Sequence, residues 1–305
     1  MPDIQSATIP TSTIENESAP APSHAAQSWL PWLPYILLGL VITAIYYQVI
    51  GKLVMDWYDN PDFSHGFLVV PFAMFLVWDK RKVLRETPIR QTWSGVWLLL
   101  AAIFVLFMGV YGAELFLSRL SLVMLLAGII WTLCGRAMLR ELRFAILVLL
   151  LAIPIPAVVF NQITFPLQLL ASRMASALLP LFGVPVLRDG NIIQLPAMQL
   201  EVAEACSGIR SLMSLFAVAI FYGYFLERST WRRVVLALAS IPIAVVANAA
   251  RIVGTGLCVQ YWNPDKAVGF FHEFSGWLMF IVSLCCLYFV HTLMRLKIPS
   301  SRNTQ

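Results

Sequence analysis

Charged residues are scarce in this chain of 305 residues. They make up 12% of it, while 59% of the residues are hydrophobic, and a soluble domain carries roughly 25% charged residues. The deficit predicts an all-α polytopic membrane protein, with lipid around most of its surface. The net charge of +5 is modest, and the basic residues do not gather on one face of a soluble domain. No nucleic-acid partner is therefore expected.

Motifs of several soluble enzyme classes are also absent. The sequence has no Gly-rich phosphate loop, no HExxH and no CxxC pair, so the common signatures of nucleotide, zinc-peptidase and dithiol chemistry are missing. Asp59, Asp62 and His65 lie close in sequence but lack a recognisable ligand spacing. We therefore expect no metal and no cofactor.

Basic residues are missing from the first 28 positions, so the chain does not start with a secretory signal. Residues 1–30 are rich in Ser, Thr, Pro and Ala, which is typical of a disordered tail. A transmembrane domain is predicted over 31–296, followed by a short C-terminal tail over 297–305. About eight transmembrane helices are expected from the apolar runs near 31–50, 66–78, 95–112, 119–134, 144–160, 207–226, 234–255 and 274–294.

The basic residues predict the orientation of these runs. Of the 21 Lys and Arg residues, 14 lie in every second connection between the runs and at the C-terminal end. These connections are 79–92, 135–143 and 227–233. By the positive-inside rule those segments and both termini lie in the cytoplasm. The longest connection on the opposite, outer side is 161–206. Within it, 166–182 resembles an amphipathic surface helix, and Asp189-Gly190 between apolar residues predicts a β-hairpin.

Three chemically distinctive side chains are expected at one depth near the outer boundary. Cys206 stands 22 residues before Arg228, and Arg251 stands 18 residues after Arg233. At about 1.5 Å per helical residue these separations are roughly 33 and 27 Å, close to the hydrocarbon thickness of about 30 Å. His272 directly precedes the last apolar run.

Cys206 begins a predicted helix, and the positive end of a helix dipole lowers a thiol pKa. Arg210, one turn later, adds to this effect, whereas Glu201 and Glu204 oppose it. The competing interpretation is a capping motif with incidental charges. Likewise, Arg251 can instead form a structural salt bridge with one of these glutamates, and His272 can be an interfacial capping residue.

Other functional classes stay open on these residues alone. A transporter or polysaccharide-handling protein would bind a ligand with the outer Arg and His, and would tolerate Cys206→Ser. A membrane thiol oxidoreductase would pair Cys206 with Cys258, although the missing CxxC argues against it. A serine protease would need Ser207 or Ser211, and neither has a supporting motif.

Four short stretches resemble the exosortase/archaeosortase family. They are ACSGIRSL around Cys206, NAARI around Arg251, FFHEFSGW around His272 and DFSHGF around His65. Their order and common membrane face carry the resemblance, which covers about 31–296. It implies a multi-pass inner-membrane cysteine peptidase or transpeptidase, often associated with exopolysaccharide production. Its substrates would be exported proteins with a C-terminal sorting motif of the PEP-CTERM type, a transmembrane helix and a basic tail.

The resemblance assigns the catalytic roles to Cys206, Arg251 and His272, on the periplasmic side. In the implied reaction Cys206 is the nucleophile, His272 the acid and base, and Arg251 the group that stabilises the oxyanion or holds the substrate. An amine or water can accept the acyl group. Membrane lipid is the other expected partner, and nothing predicts the oligomeric state. The candidate substrate-binding residues are Arg210, Arg188, His65 and Glu204.

Overall fold

A computed structural model describes residues 33–202, 208–262 and 270–297 of the chain. The chain divides into two compact units, 1–46 and 47–305. The described part of the first unit is the beginning of helix α1, and all contacts discussed below lie within the second. In chain order the described helices are α1 (Leu33–Asp59), α2 (Gly66–Asp79), α3 (Arg81–Glu86), α4 (Gly95–Tyr111), α5 (Leu115–Cys134), α6 (Arg136–Leu149), α7 (Ala157–Leu178), α8 (Gly208–Leu226), α9 (Thr230–Tyr261) and α10 (Phe270–Lys297).

The apolar helices confirm a multi-pass, α-helical membrane protein. Within the described residues, six helical segments are long and apolar enough to cross a membrane, and two shorter apolar helices, Gly95–Tyr111 and Arg210–Leu226, accompany them. The second predicted run is short because its helix starts in the connection before it. A 3-10 turn over Pro61–Phe63, capped by the Asn60 side chain, extends that span to Pro61–Asp79.

The fifth predicted run, 144–160, is wrong as a single helix. α6 ends at Leu149 and a 3-10 turn continues to Ala152, after which a new helix starts at Ala157. Pro154 and Pro156 explain the break, since proline lacks an N–H donor and disfavours helical backbone in the residue before it. The helix after the break is α7.

The predicted surface helix, 166–182, is the second half of α7 together with the 3-10 turn Leu179–Phe182. α7 packs along the second half of α9. Near its middle, Thr164 lines a small cavity with Asn248, and near its end Leu179 occupies the space beside Gly256. The two helices therefore run in the same direction. Small residues of α7, Ala171 and Ala175, pack in the cluster with α9, whereas Ile163, Phe165 and Leu170 are exposed. The predicted surface helix thus belongs to a segment, Ala157–Phe182, that is long and apolar enough to cross a membrane.

The predicted β-hairpin is confirmed and is part of a three-stranded antiparallel sheet, β1 (Leu187–Asp189), β2 (Ile192–Gln194) and β3 (Gln199–Glu201). The hairpin loop is Gly190 and Asn191, and Gly190 has a φ of +61°. The buried residues of the sheet share a hydrophobic cluster with Ile252 and Val253 of α9. The sheet therefore packs beside Arg251.

α9 is also the centre of a three-helix group, since α8 and α10 both pack against it. A second cluster of buried residues, Leu215, Ala219, Leu236, Ala244 and Leu287, holds the three helices together. The end of α1 joins α2 and α6 in a third cluster. The three-helix group positions Arg251 and the start of α10.

Candidate active site

Arg251 lies in the second half of α9 and is buried, with 8% of its surface exposed. Its Nε donates a hydrogen bond to Ser275 Oγ of α10 at 3.2 Å. The guanidinium lies against Gly276, where an added Cβ would stand 3.3 Å from Nη2 and 3.4 Å from Cζ. The absent side chain at Gly276 thus makes room for the Arg251 guanidinium.

Position 272 shares a face of α10 with the two residues that contact Arg251. It precedes Ser275 by three residues and Gly276 by four within α10, and positions three and four apart share one face of a helix. Position 272 therefore lies on the face of α10 that meets Arg251, one turn nearer the start of the helix. The catalytic role of His272 stays a prediction.

Cys206 and Glu204 lie outside the described residues. The described chain reaches Val202, which is buried in the cluster containing Ile252 and Val253, and resumes with α8 at Gly208. The role of Cys206 as nucleophile and that of Glu204 in substrate binding stay predictions. Ser207 also lies outside the described residues.

Arg210 forms an ion pair with Asp62, with 3.5 Å between Nε and Oδ1. Asp62 belongs to the 3-10 turn before α2, and this turn packs against α8. The stretches DFSHGF and CSGIRSL, which are far apart in sequence, are thereby joined. The Arg210 side chain is 53% exposed, so the pair contributes only about 0–1 kcal/mol and leaves the guanidinium accessible.

His65 is buried at the start of α2, and its Nε2 donates to the Leu151 carbonyl at 3.0 Å. Nearby, Trp57 Nε1 donates to the Ala152 carbonyl at 2.8 Å. His65 and Trp57 therefore satisfy carbonyls at the break between α6 and α7. Direct substrate contact by His65 stays a prediction.

Arg188 lies on β1 and donates from Nη1 to the Gly190 carbonyl at 2.8 Å. This hydrogen bond closes over the hairpin turn, so part of the donor capacity of Arg188 serves the hairpin. Glu201 is exposed at the end of β3. Among the described residues, no group of three His, Cys, Asp or Glu side chains converges as a metal site would require.

Ser275 and Gly276 were missed by the sequence analysis. Their spacing from His272 contained a usable signal, because a Ser and a Gly one turn after a His on the same helix face allow close approach of another helix. From sequence, Asp62 stands out only through its closeness to Asp59 and His65. Its pairing with Arg210 could not be read from sequence, since 148 positions of chain separate the two residues.

The fold and this site define a multi-pass membrane protein with a buried arginine held between two helices, at the start of the last helix. The family model of the transmembrane exosortases (Exosortase_EpsH) matches residues 57–289. This range is well over half of the chain, and the protein belongs to that family. Family membership implies a membrane enzyme of protein sorting. No curated protein and no solved structure matches this chain.

Proposed function

We propose that this protein is a membrane cysteine peptidase or transpeptidase that cleaves the C-terminal sorting signal of exported proteins on the periplasmic side. One structural observation carries the proposal beyond family membership. The buried Arg251 guanidinium lies against Ser275 and Gly276, one helical turn after His272. A permanent cation beside a histidine position on the neighbouring helix suits acyl-transfer chemistry.

In the proposed reaction the Cys206 thiolate attacks a carbonyl carbon of the sorting motif. The C–N bond then breaks, His272 gives a proton to the leaving amine, and a thioester to Cys206 remains. An amine or water next attacks the thioester and gives its proton to His272. The product leaves and the thiolate is restored, so that the cycle needs no oxidant or cofactor.

Arg251 stabilises the negative oxygen that forms when the thiolate attacks, or holds the substrate carbonyl in place. The planar guanidinium remains charged at any relevant pH and offers several donors in fixed directions. Its hydrogen bond to Ser275 occupies Nε and orients the rest of the group. A preorganised donor of this kind is worth about a hundredfold or more in rate.

The proposal is tested by expressing the full chain together with a reporter that ends in a sorting signal. Cys206→Ala, Arg251→Ala and His272→Ala should each lower processing by at least about a hundredfold, with unchanged amounts of enzyme in the membrane. Cys258→Ala is the matched control and should process normally, because Cys258 is a buried residue of the α9 cluster. Normal processing by Cys206→Ala would refute the nucleophile assignment. Loss of processing in Cys258→Ala would instead favour thiol redox chemistry.

Mass spectrometry of the new C-terminus of the processed reporter identifies the acceptor. A free carboxylate indicates hydrolysis, and an added group indicates transpeptidation. Both outcomes proceed through the same thioester.

A further inference from the structure

A groove of about 680 Å³ lies along the first part of α9, near the Arg-rich ends of the helices, whereas the sheet packs on the second part of α9. α6 and α9 form its two walls and α8 forms its floor. Most of the lining is apolar, including Phe144, Leu147, Val148, Ile220, Val234 and Leu238. Leu147, Val234 and Leu238 are largely exposed, so the groove is open toward the surrounding hydrocarbon.

One end of the groove is cationic. Lys80, Arg143 and Arg233 line it together with a single carboxylate, Glu141. Counting Asp79 beside them, one positive charge is uncompensated. Lys80 Nζ is 3.0 Å from Glu141 Oε2, so that pair is already neutral. The exposed carboxylate of Asp79, just outside the lining, accepts a hydrogen bond from the Tyr224 hydroxyl at 2.8 Å.

Arg143 and Arg233 are the two guanidinium groups at this end. Arg233 is oriented by the Glu227 carbonyl, which accepts from its Nε at 2.7 Å, and by the Tyr224 ring 4.9 Å below its guanidinium. Arg143 is exposed and makes no hydrogen bond or ion pair with any described residue. Two guanidinium groups at the end of an apolar groove favour an anionic group that carries a hydrocarbon chain.

The length of the groove fits one leaflet of a bilayer. Thr230 and Leu238 line it eight residues apart on α9, and Glu141 and Leu151 ten residues apart in sequence. At about 1.5 Å per residue these separations are roughly 12–15 Å. Half of a hydrocarbon core of about 30 Å is about 15 Å. The cationic end belongs to the segments that the positive-inside rule assigns to the cytoplasm.

A protein helix is a poorer fit to this space. A helix at least about 10 Å across fills roughly 400 Å³ per turn, so that 680 Å³ would enclose fewer than two turns. A single acyl chain is much thinner and can follow the whole groove. We propose that the groove binds a phospholipid of the cytoplasmic leaflet through an anionic headgroup, with phosphate on Arg143 and Arg233 and an acyl chain along the apolar walls.

The test is native mass spectrometry of the full-length protein in detergent, after incubation with equal amounts of phosphatidylglycerol and phosphatidylcholine that have identical acyl chains. We expect phosphatidylglycerol to be retained at least about fivefold over phosphatidylcholine. Arg143→Gln should remove most of this preference, and Arg143→Lys should keep most of it. Arg140→Gln is the matched control, because Arg140 is an exposed basic residue of the same helix outside the groove, and it should change nothing.

Three results would overturn the assignment. Equal retention of the two lipids would show that the groove does not select an anionic headgroup. Equal losses in Arg143→Gln and Arg140→Gln would show diffuse surface attraction in place of a site. Displacement of phosphatidylglycerol by free glycerol phosphate would show an anion site without a chain-binding groove. No readout depends on peptidase activity, so this inference stands or falls separately from the proposed function.

Discussion

Arg251 shows how a single residue can be both costly and useful in a membrane helix. A charge in hydrocarbon is unfavourable unless it faces the protein interior or a polar cavity. Arg251 meets this condition because its guanidinium lies between α9 and α10 and hydrogen-bonds to Ser275. The contact with Gly276 leaves little free space beside the guanidinium. A small substitution at that glycine should therefore alter the reaction by displacing Arg251, with every proposed catalytic residue still present in the chain.

Gly276→Ala should lower reporter processing by about tenfold, because displacing a catalytic group by even 1 Å can cost about a hundredfold. The new methyl would stand 3.3 Å from Arg251 Nη2 and push the guanidinium away by a few tenths of an ångström. Gly254→Ala is the matched control, since nothing lies within 4 Å of a Cβ at that position. Processing rates normalised to the membrane content of each variant measure the effect. Equal rates for the two variants would show that the position of Arg251 does not matter.

At the residue scale, counting along helices predicted a common depth for Arg251 and the start of α10. It could not predict Ser275 as the hydrogen-bond partner, because depth does not give rotation about the helix axis. The rotation follows from packing, in which Gly276 allows α9 and α10 to approach. The thiolate state of Cys206 stays a prediction from helix-dipole physics.

At the scale of whole elements, a buried charged cluster joins the inner end of α10 to the connection between α8 and α9. Glu227 Oε1 accepts from His291 Nε2 at 2.8 Å and from Arg295 Nε at 3.2 Å. The Tyr222 hydroxyl donates to His291 Nδ1 at 2.6 Å. Because α10 carries position 272 at its other end, this cluster helps to hold the helix that presents the predicted acid and base.

The pH dependence of unfolding should reveal this cluster. Burial alone would raise the pKa of Glu227, but hydrogen bonds from His291 and Arg295 and the charge of Arg232 outweigh it and hold the pKa below its ordinary value of 4.5. The stabilisation is therefore complete above pH 4.5 and is lost as the pH falls through the lower, folded-state pKa. Thermal unfolding in detergent, followed from about pH 7 downward, measures this loss.

Glu227→Gln should lower the free energy of unfolding by about 1–3 kcal/mol near neutral pH and should flatten the acid limb of the profile. Glu86→Gln is the control, since Glu86 is exposed on α3 and makes no ion pair with a described residue. A variant Glu227→Gln as stable as the wild type at neutral pH would contradict a structural role for the cluster.

The elements themselves were largely predictable. Long apolar runs predicted the spanning helices, and Asp189-Gly190 predicted the hairpin. The break between α6 and α7 was missed because hydrophobicity continues through Pro154 and Pro156, even though proline restricts the backbone there. The third strand has only three residues, which is too short for an alternating pattern to be recognised.

At the scale of the whole molecule, the length of α9 is informative. Its 32 residues extend about 48 Å, well beyond a hydrocarbon core of about 30 Å. The excess lies after Arg251 if the helix enters the membrane near Arg233. The sheet packs on this second half through Ile252 and Val253, next to Arg251.

The orientation is tested by labelling introduced cysteines with a thiol reagent that cannot cross the inner membrane, in a Cys206→Ala background. Asp189→Cys lies in the exposed hairpin and Lys82→Cys in α3. The positive-inside rule predicts labelling of Asp189→Cys in intact cells, and labelling of Lys82→Cys only after the inner membrane is permeabilised. The reverse pattern would place the sheet in the cytoplasm and contradict periplasmic cleavage.

The central claim is that Cys206 forms a thioester with the sorting signal, and intact-mass spectrometry of the purified enzyme tests it most directly. His272→Ala incubated with a sorting-signal peptide should slowly accumulate an acyl adduct, which peptide mapping should assign to Cys206 and hydroxylamine should release. The adduct should persist in a double variant that combines His272→Ala with Cys258→Ala. It should be absent from the double variant that combines His272→Ala with Cys206→Ala. The account would be contradicted if the Cys206→Ala variant cleaved the peptide as the wild-type enzyme does. It would also be contradicted if the adduct lay on another residue.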